Sequence, residues 1–186
     1  QALGSGRGRE GEAPEAALSR GLSGRMAADC EPAWPRRFLS GLLSSNAKPH
    51  EHQHWLVGTS CLLLAAPAPL ALANEDTLTG TWLLVVTCCS LLADFAYIGT
   101  VWNVIDRWVA VSFTIYLTYR AYLCVPLLTV LNLFVVGGLL AYSQSSSTPE
   151  QWRWRHSLWH AVMMCDIAFF LVCIYSADAV RAGQHS

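Results

Sequence analysis

Apolar residues gather in five long runs from Trp55 onward: 55–73 (WLVGTSCLLLAAPAPLALA), 78–99 (LTGTWLLVVTCCSLLADFAYIG), 104–119 (VIDRWVAVSFTIYLTY), 121–142 (AYLCVPLLTVLNLFVVGGLLAY) and 157–176 (SLWHAVMMCDIAFFLVCIYS). Each approaches the roughly 20 residues that carry a helix across a hydrocarbon core of about 30 Å. The pattern therefore predicts an all-α fold, a multi-pass transmembrane helical bundle of about five spans. The first run must kink or end early at Pro67 and Pro69, because a proline inside a helix removes a hydrogen bond and crowds the preceding turn. The third is short and carries Asp106 and Arg107 at its head. Trp55, Trp82, Tyr97, Trp102, Trp108, Tyr119, Tyr142, Trp152, Trp154 and Trp159 fall near span ends, where amphipathic rings favour the headgroup layer.

The polar stretches between the runs are short: 74–77 (NEDT), 100–103 (TVWN), Arg120 alone, and 143–156 (SQSSSTPEQWRWRH), the one real loop. Residues 177–186 form a short polar tail. Residues 1–54 form a polar N-terminal leader that is expected to be disordered. Its first 25 positions hold almost no large apolar side chains, too few to offset the entropy of ordering. Met26 opens a more ordinary stretch and is expected to be the true translation start.

Composition supports the class. Of 186 residues, 53% are hydrophobic and 13% charged, with a net charge of −1, so a lipid bilayer is the expected partner and nucleic acid is not. If the N-terminus lies on one side, that side holds Arg36, Arg37, Lys48, Arg107, Arg153 and Arg155, while the other holds Arg120 and Arg181. The positive-inside rule then puts the N-terminus in the cytoplasm. Six of the seven cysteines lie in apolar runs, so they read as small hydrophobes rather than a disulfide framework.

An ionisable side chain at membrane depth is costly, so it usually faces the bundle interior and either pairs or carries a function. Asp94, Asp106, His156, His160 and Asp166 are the candidates. His156 and His160 are four residues apart, so both imidazoles project from one helix face, as do Ser90 and Asp94. Following the chain back and forth through its spans brings Ser90, Asp94, Asp106, His156 and His160 within about two turns of the same membrane surface. Two histidines and one or two carboxylates with an open position suit Zn²⁺. The alternative is a set of ordinary features: a histidine at an interfacial helix end, Asp106 at a helix start, and Asp94 paired with Arg107. Asp166 lies deeper, off the His160 face, and is expected to pair with a polar group on another span. His50, His52 and His54 alternate before the first span and read as an interfacial flank.

At HSLWH, residues 156–160, the sequence resembles the last-helix signature of the CREST superfamily: alkaline ceramidases, progestin and adipoQ receptors, and myomaker-like proteins. The resemblance maps the family's serine onto Ser90, its aspartate onto Asp106 and its HxxxH onto His156 and His160. It implies a zinc ion and cleavage of lipid amide or ester bonds. In that reading Asp94, His156 and His160 hold the metal, Asp106 and Ser90 act at the reacting centre, and a lipid substrate lies between helices. Two departures stand out. Asp94 occupies the position of a family histidine, and only two spans fit between Asp106 and His156 where the family has four. The competing expectation is a non-catalytic multi-pass protein in which the Asp/His cluster is a structural clasp.

Overall fold

Prolines and helix caps set where the chain breaks in this computed structural model, which describes Leu43, Ser44, Lys48 and residues 51–184. The order expected for most of the leader, the Met26 start, Cys30 and His50 lie outside the described residues. His54 adopts an extended backbone and its Nδ1 accepts the Leu56 N–H at 3.2 Å, which starts α1 (Trp55–Leu63). Pro67 and Pro69 end that helix and restart it as α2 (Ala68–Ala73), the expected interruption. Asp76 caps α3 (Thr77–Leu91), accepting the Thr79 N–H at 3.1 Å.

Past Leu91 the helix widens into one π turn, Leu92–Ala96, closed by the Tyr97 N–H on the Leu92 carbonyl at 2.7 Å. Gly99 then turns the chain with φ 75°, a conformation that disfavours a side chain. The Asn103 side chain accepts the N–H groups of Gly99 and Thr100 at 2.9 and 3.1 Å, and Thr100 caps α4 (Val101–Cys124). α5 (Pro126–Gln144) and α6 (Pro149–Gly183) complete the bundle.

Three boundaries differ from expectation. α4 runs unbroken through Arg120 to Cys124, and the break falls at Val125–Pro126, because a residue before proline avoids the helical region and Pro126 starts a helix well. The expected loop 143–156 is mostly helix: α5 runs to Gln144, Thr148 caps α6 and Pro149 opens it, eight residues before Ser157. α6 also continues through Gly183, into the expected polar tail.

Among the described residues, four helical stretches are long and apolar enough to cross a membrane: Trp55–Ala73, Thr77–Ala96, Pro126–Gln144 and Pro149–Gly183. α4 has 24 residues, about 36 Å, but carries Asp106, Arg107 and Arg120. α6 is the central element, packing on α1, α2, α4 and α5. Leu83, Val86, Phe113, Leu117, Ile167, Phe170 and Leu171 form the core where α3, α4 and α6 meet. Outward faces stay apolar: Leu127 and Phe134 on α5 are 73% and 75% exposed, as a lipid-facing surface requires. Polar side chains collect instead at the two ends. The histidine end holds the starts of α1 and α6 and the π turn; the arginine end holds the end of α4 and the start of α5.

Candidate metal centre

Five elements place side chains at the histidine end. Ser60 and Cys61 come from α1, Ser90 from α3, Asp94 from the π turn, Asp106 from α4, and His156 and His160 from α6. The π turn matters because a single wide turn re-aims side chains and is frequent at functional sites. It is held by Gly58: a Cβ there would lie 2.9 Å from the Phe95 ring, so Phe95 packs directly on the α1 backbone.

Hydrogen bonds tie the set together. The Ser90 hydroxyl donates to Asp106 Oδ1 at 2.7 Å. His156 Nε2 lies 2.9 Å from Asp94 Oδ2, and His160 Nε2 lies 3.8 Å from the same oxygen. His156 Nδ1 meets the Ser143 hydroxyl at 3.2 Å, and His160 Nδ1 meets the Ser60 hydroxyl at 3.0 Å. Trp152 stacks on His156 with ring centroids 5.3 Å apart, and the two histidine rings meet edge to face at 4.6 Å. Trp152 also packs with Val57 and Cys61.

The donors assign the tautomers. An ionised carboxylate only accepts, so His156 carries its proton on Nε2 toward Asp94. That ring therefore orients Asp94 and engages both of its nitrogens with protein. His160 is arranged the other way. The Ser60 hydroxyl spends its proton on the Val57 carbonyl at 2.8 Å, so it accepts from His160 Nδ1–H. His160 Nε2 then presents a lone pair toward Asp94.

Cys61, Asp94 and His160 each offer one ligand atom within 4.8 Å of the others, a group that can hold a metal ion. Thiolate, carboxylate and imidazole together are a donor set that zinc accepts. All five residues expected from the sequence are drawn to this end. Of the three expected ligands, Asp94 and His160 belong to the metal-capable group and His156 sits beside it; Ser90 and Asp106 form their own bonded pair. Ser60, Cys61 and Ser143 were not foreseen. The polar triplet Thr59-Ser60-Cys61 inside the first apolar run is the signal that points to two of them.

The other polar candidates go elsewhere. Asp166 accepts from the Asn132 amide at 2.9 Å, a pairing with another span as expected. His54 caps α1 and its Nε2 meets Arg153 at 3.0 Å, an interfacial role. Arg107 donates to the Ser44 carbonyl at 2.6 Å. No family model matches the chain, and no curated protein or solved structure does.

Proposed function

We propose that the protein is an integral membrane, zinc-dependent hydrolase of lipid amide or ester bonds, a divergent member of the CREST superfamily with its N-terminus in the cytoplasm. One observation carries this reading: the His160 Nε2 lone pair, the Cys61 thiol and the Asp94 carboxylate converge within 4.8 Å at a buried site. Cys61, Asp94 and His160 would hold the zinc ion, with His156 bracing Asp94. Zinc in such a set supplies Lewis-acid polarisation of a carbonyl and of water.

The chain's own residues divide the remaining work. Asp106, fixed by the Ser90 hydroxyl at 2.7 Å, is the carboxylate available to take a proton from an attacking water and return it to the leaving amine or alcohol. The Ser90 hydroxyl fixes which Asp106 oxygen faces that water. His156, bonded to Asp94 and Ser143, keeps Asp94 in one orientation, as an outer partner of a ligand does. Cys61 lies six residues into α1, roughly 9 Å along the helix. A lipid with its chains between helices would bring its carbonyl to that depth, near the headgroup boundary.

A second reading has its own observation. Ser60, Ser143, Ser90, Asp94, Asp106 and both imidazoles are bonded to one another or to backbone, which is what a structural clasp between helices requires.

Metal analysis of detergent-purified protein separates these readings from chance, and His160→Ala separates them from each other. The hydrolase reading expects about one zinc per chain, lost in His160→Ala together with hydrolysis of ceramide or phospholipid, while the variant stays folded. Loss of folding in His160→Ala, without any lipid hydrolysis by the wild type, supports the clasp. A folded wild type without zinc ends the hydrolase reading.

A further inference from the structure

Away from the histidine end, α4, α5 and α6 line a small, mostly apolar cavity of about 40 Å³ to which five polar side chains bring oxygen atoms. Asp166 from α6, Asn132 from α5, and Thr114, Thr118 and Thr129 line it. We propose that this cavity is a site for a sodium-sized monovalent cation, held by the Asp166 carboxylate, the Asn132 side chain and the threonine hydroxyls. It goes beyond the hydrolase reading and shares no residue with it.

Charge gives the first reason. Asp166 lies within the apolar stretch of α6, and among the described residues its carboxylate is bonded to one group, the neutral Asn132 amide. No arginine, lysine or histidine forms an ion pair with it among those residues. By contrast, Asp76 and Asp94 each face a cation or an imidazole. An intramembrane carboxylate of this kind calls for a compensating charge, and the cavity is space that lies against it.

Size gives the second. One water needs roughly 10–15 Å³ of such space, so about 40 Å³ admits a cation with one or two waters and no lipid headgroup. Donor chemistry gives the third. Asn132 donates through its nitrogen to Asp166 Oδ2, which leaves its own oxygen and Asp166 Oδ1 as acceptors. Thr114 and Thr129 give their protons to the carbonyls of Ala110 and Val125, at 2.8 and 2.9 Å, and keep their lone pairs. Thr118 adds a third hydroxyl to the lining. These are hard ligands, and a single carboxylate balances one positive charge rather than two.

A groove of about 420 Å³ on the outer face of α4 and α5 shares Thr114, Thr118 and Thr129 with the cavity and reaches Tyr119 and Tyr122.

The test is thermal unfolding of the detergent-purified full chain at pH 8 in sodium chloride and in choline chloride at equal ionic strength. Sodium at about ten times its dissociation constant is expected to raise the wild-type midpoint by roughly 3–5 °C. Asp166→Asn is expected to abolish that difference. Thr118→Val, which removes one oxygen at equal volume, is expected to reduce it and serves if Asp166→Asn does not fold. Equal midpoints in sodium and choline for the wild type would overturn the site. So would a full sodium response in folded Asp166→Asn, or in Thr118→Val where Asp166→Asn is lost.

Discussion

Both ends of the bundle gather polar groups and finish them differently. At the arginine end, Asp76 accepts from Arg120, from the Thr79 hydroxyl at 2.8 Å and backbone at 3.1 Å, and from Tyr175 at 3.1 Å. Arg120 also reaches Tyr116 at 3.1 Å, and Asp178 lies 3.7 Å from it. A full cation there meets a full anion, and the side chains around them complete the pair. At the histidine end, among the described residues, the hydrogen bonds to the two carboxylates come from an imidazole and a hydroxyl, with Arg107 near enough to act on both by charge, and His160 Nε2 and Cys61 face Asp94. A charge-balanced cluster is a fastener. An incompletely balanced one keeps ligand capacity, which is the mark of a site.

Breaking the fastener gives the largest effect. Arg120→Ala leaves the half-buried Asp76 without its cation and its charged hydrogen bond, a loss of about 2 kcal/mol. Thermal unfolding of the purified chain should show a midpoint several degrees lower, while zinc content stays at the wild-type level. A midpoint within a degree of wild type would mean that the arginine end does not hold the bundle together. The matching change at the other end is Asp94→Asn, which keeps the shape and removes a ligand charge. Zinc affinity is expected to fall by about 100-fold, measured by competition with a chelator, with little change in unfolding. Equal affinity in the variant would remove Asp94 from the metal set.

Gly58→Ala tests what aims Asp94. The added methyl meets the Phe95 ring at 2.9 Å, so the ring or the π turn must shift. About 1–2 kcal/mol of stability should be lost, and zinc affinity with it, because the turn carries Asp94. Loss of stability with unchanged zinc affinity would show that the turn adjusts without moving its carboxylate.

These contrasts also explain what the sequence makes legible. Apolar runs and prolines mark the helices, because lipid demands long apolar stretches and Pro67, Pro126 and Pro149 cannot sit inside a straight helix. The convergence of Ser90, Asp94, Asp106, His156 and His160 follows from counting spans, since each crossing returns the chain to a known side. Reading Arg120 as a connection and Asp76 as a loop residue hides the arginine end, because their pairing links positions 44 apart and has no local pattern. The π turn is equally hidden: Leu92–Ala96 reads as more of the same helix, and only its packing on Gly58 distinguishes it. Cys61 escapes notice because a buried cysteine among leucines looks like any small apolar residue. Its chemistry appears only once Asp94 and His160 are beside it.

A subtler change at the histidine end is Ser60→Ala, which frees His160 Nδ1 while leaving every ligand in place. The ring loses the partner that fixes its tautomer, so zinc affinity should fall by about tenfold, at the lower end of such outer-partner effects. Stability should change by about 1 kcal/mol, the worth of one buried hydrogen bond. Unchanged affinity would mean that His160 holds its orientation by packing alone, or that it is not a ligand.

The smallest effect is a pH dependence that belongs to the arginine end. Burial alone would push the Asp76 carboxyl up, but Arg120 and the Thr79 hydroxyl and backbone outweigh it and hold the carboxyl below the usual carboxylate range. A group whose folded value is depressed contributes stability that is fully present above its unfolded value, near pH 4, and is lost as pH falls through the folded value. The unfolding midpoint of the wild type should therefore drop further between about pH 5 and pH 3 than that of Asp76→Asn, which has no proton to take up there. The slope is the readout, because Asp76→Asn also strands Arg120 and lowers the midpoint at every pH. Parallel slopes would mean that Asp76 keeps its ordinary affinity for a proton and that Arg120 pairs with Asp178 instead, which would turn the fastener from a buried cluster into a surface pair.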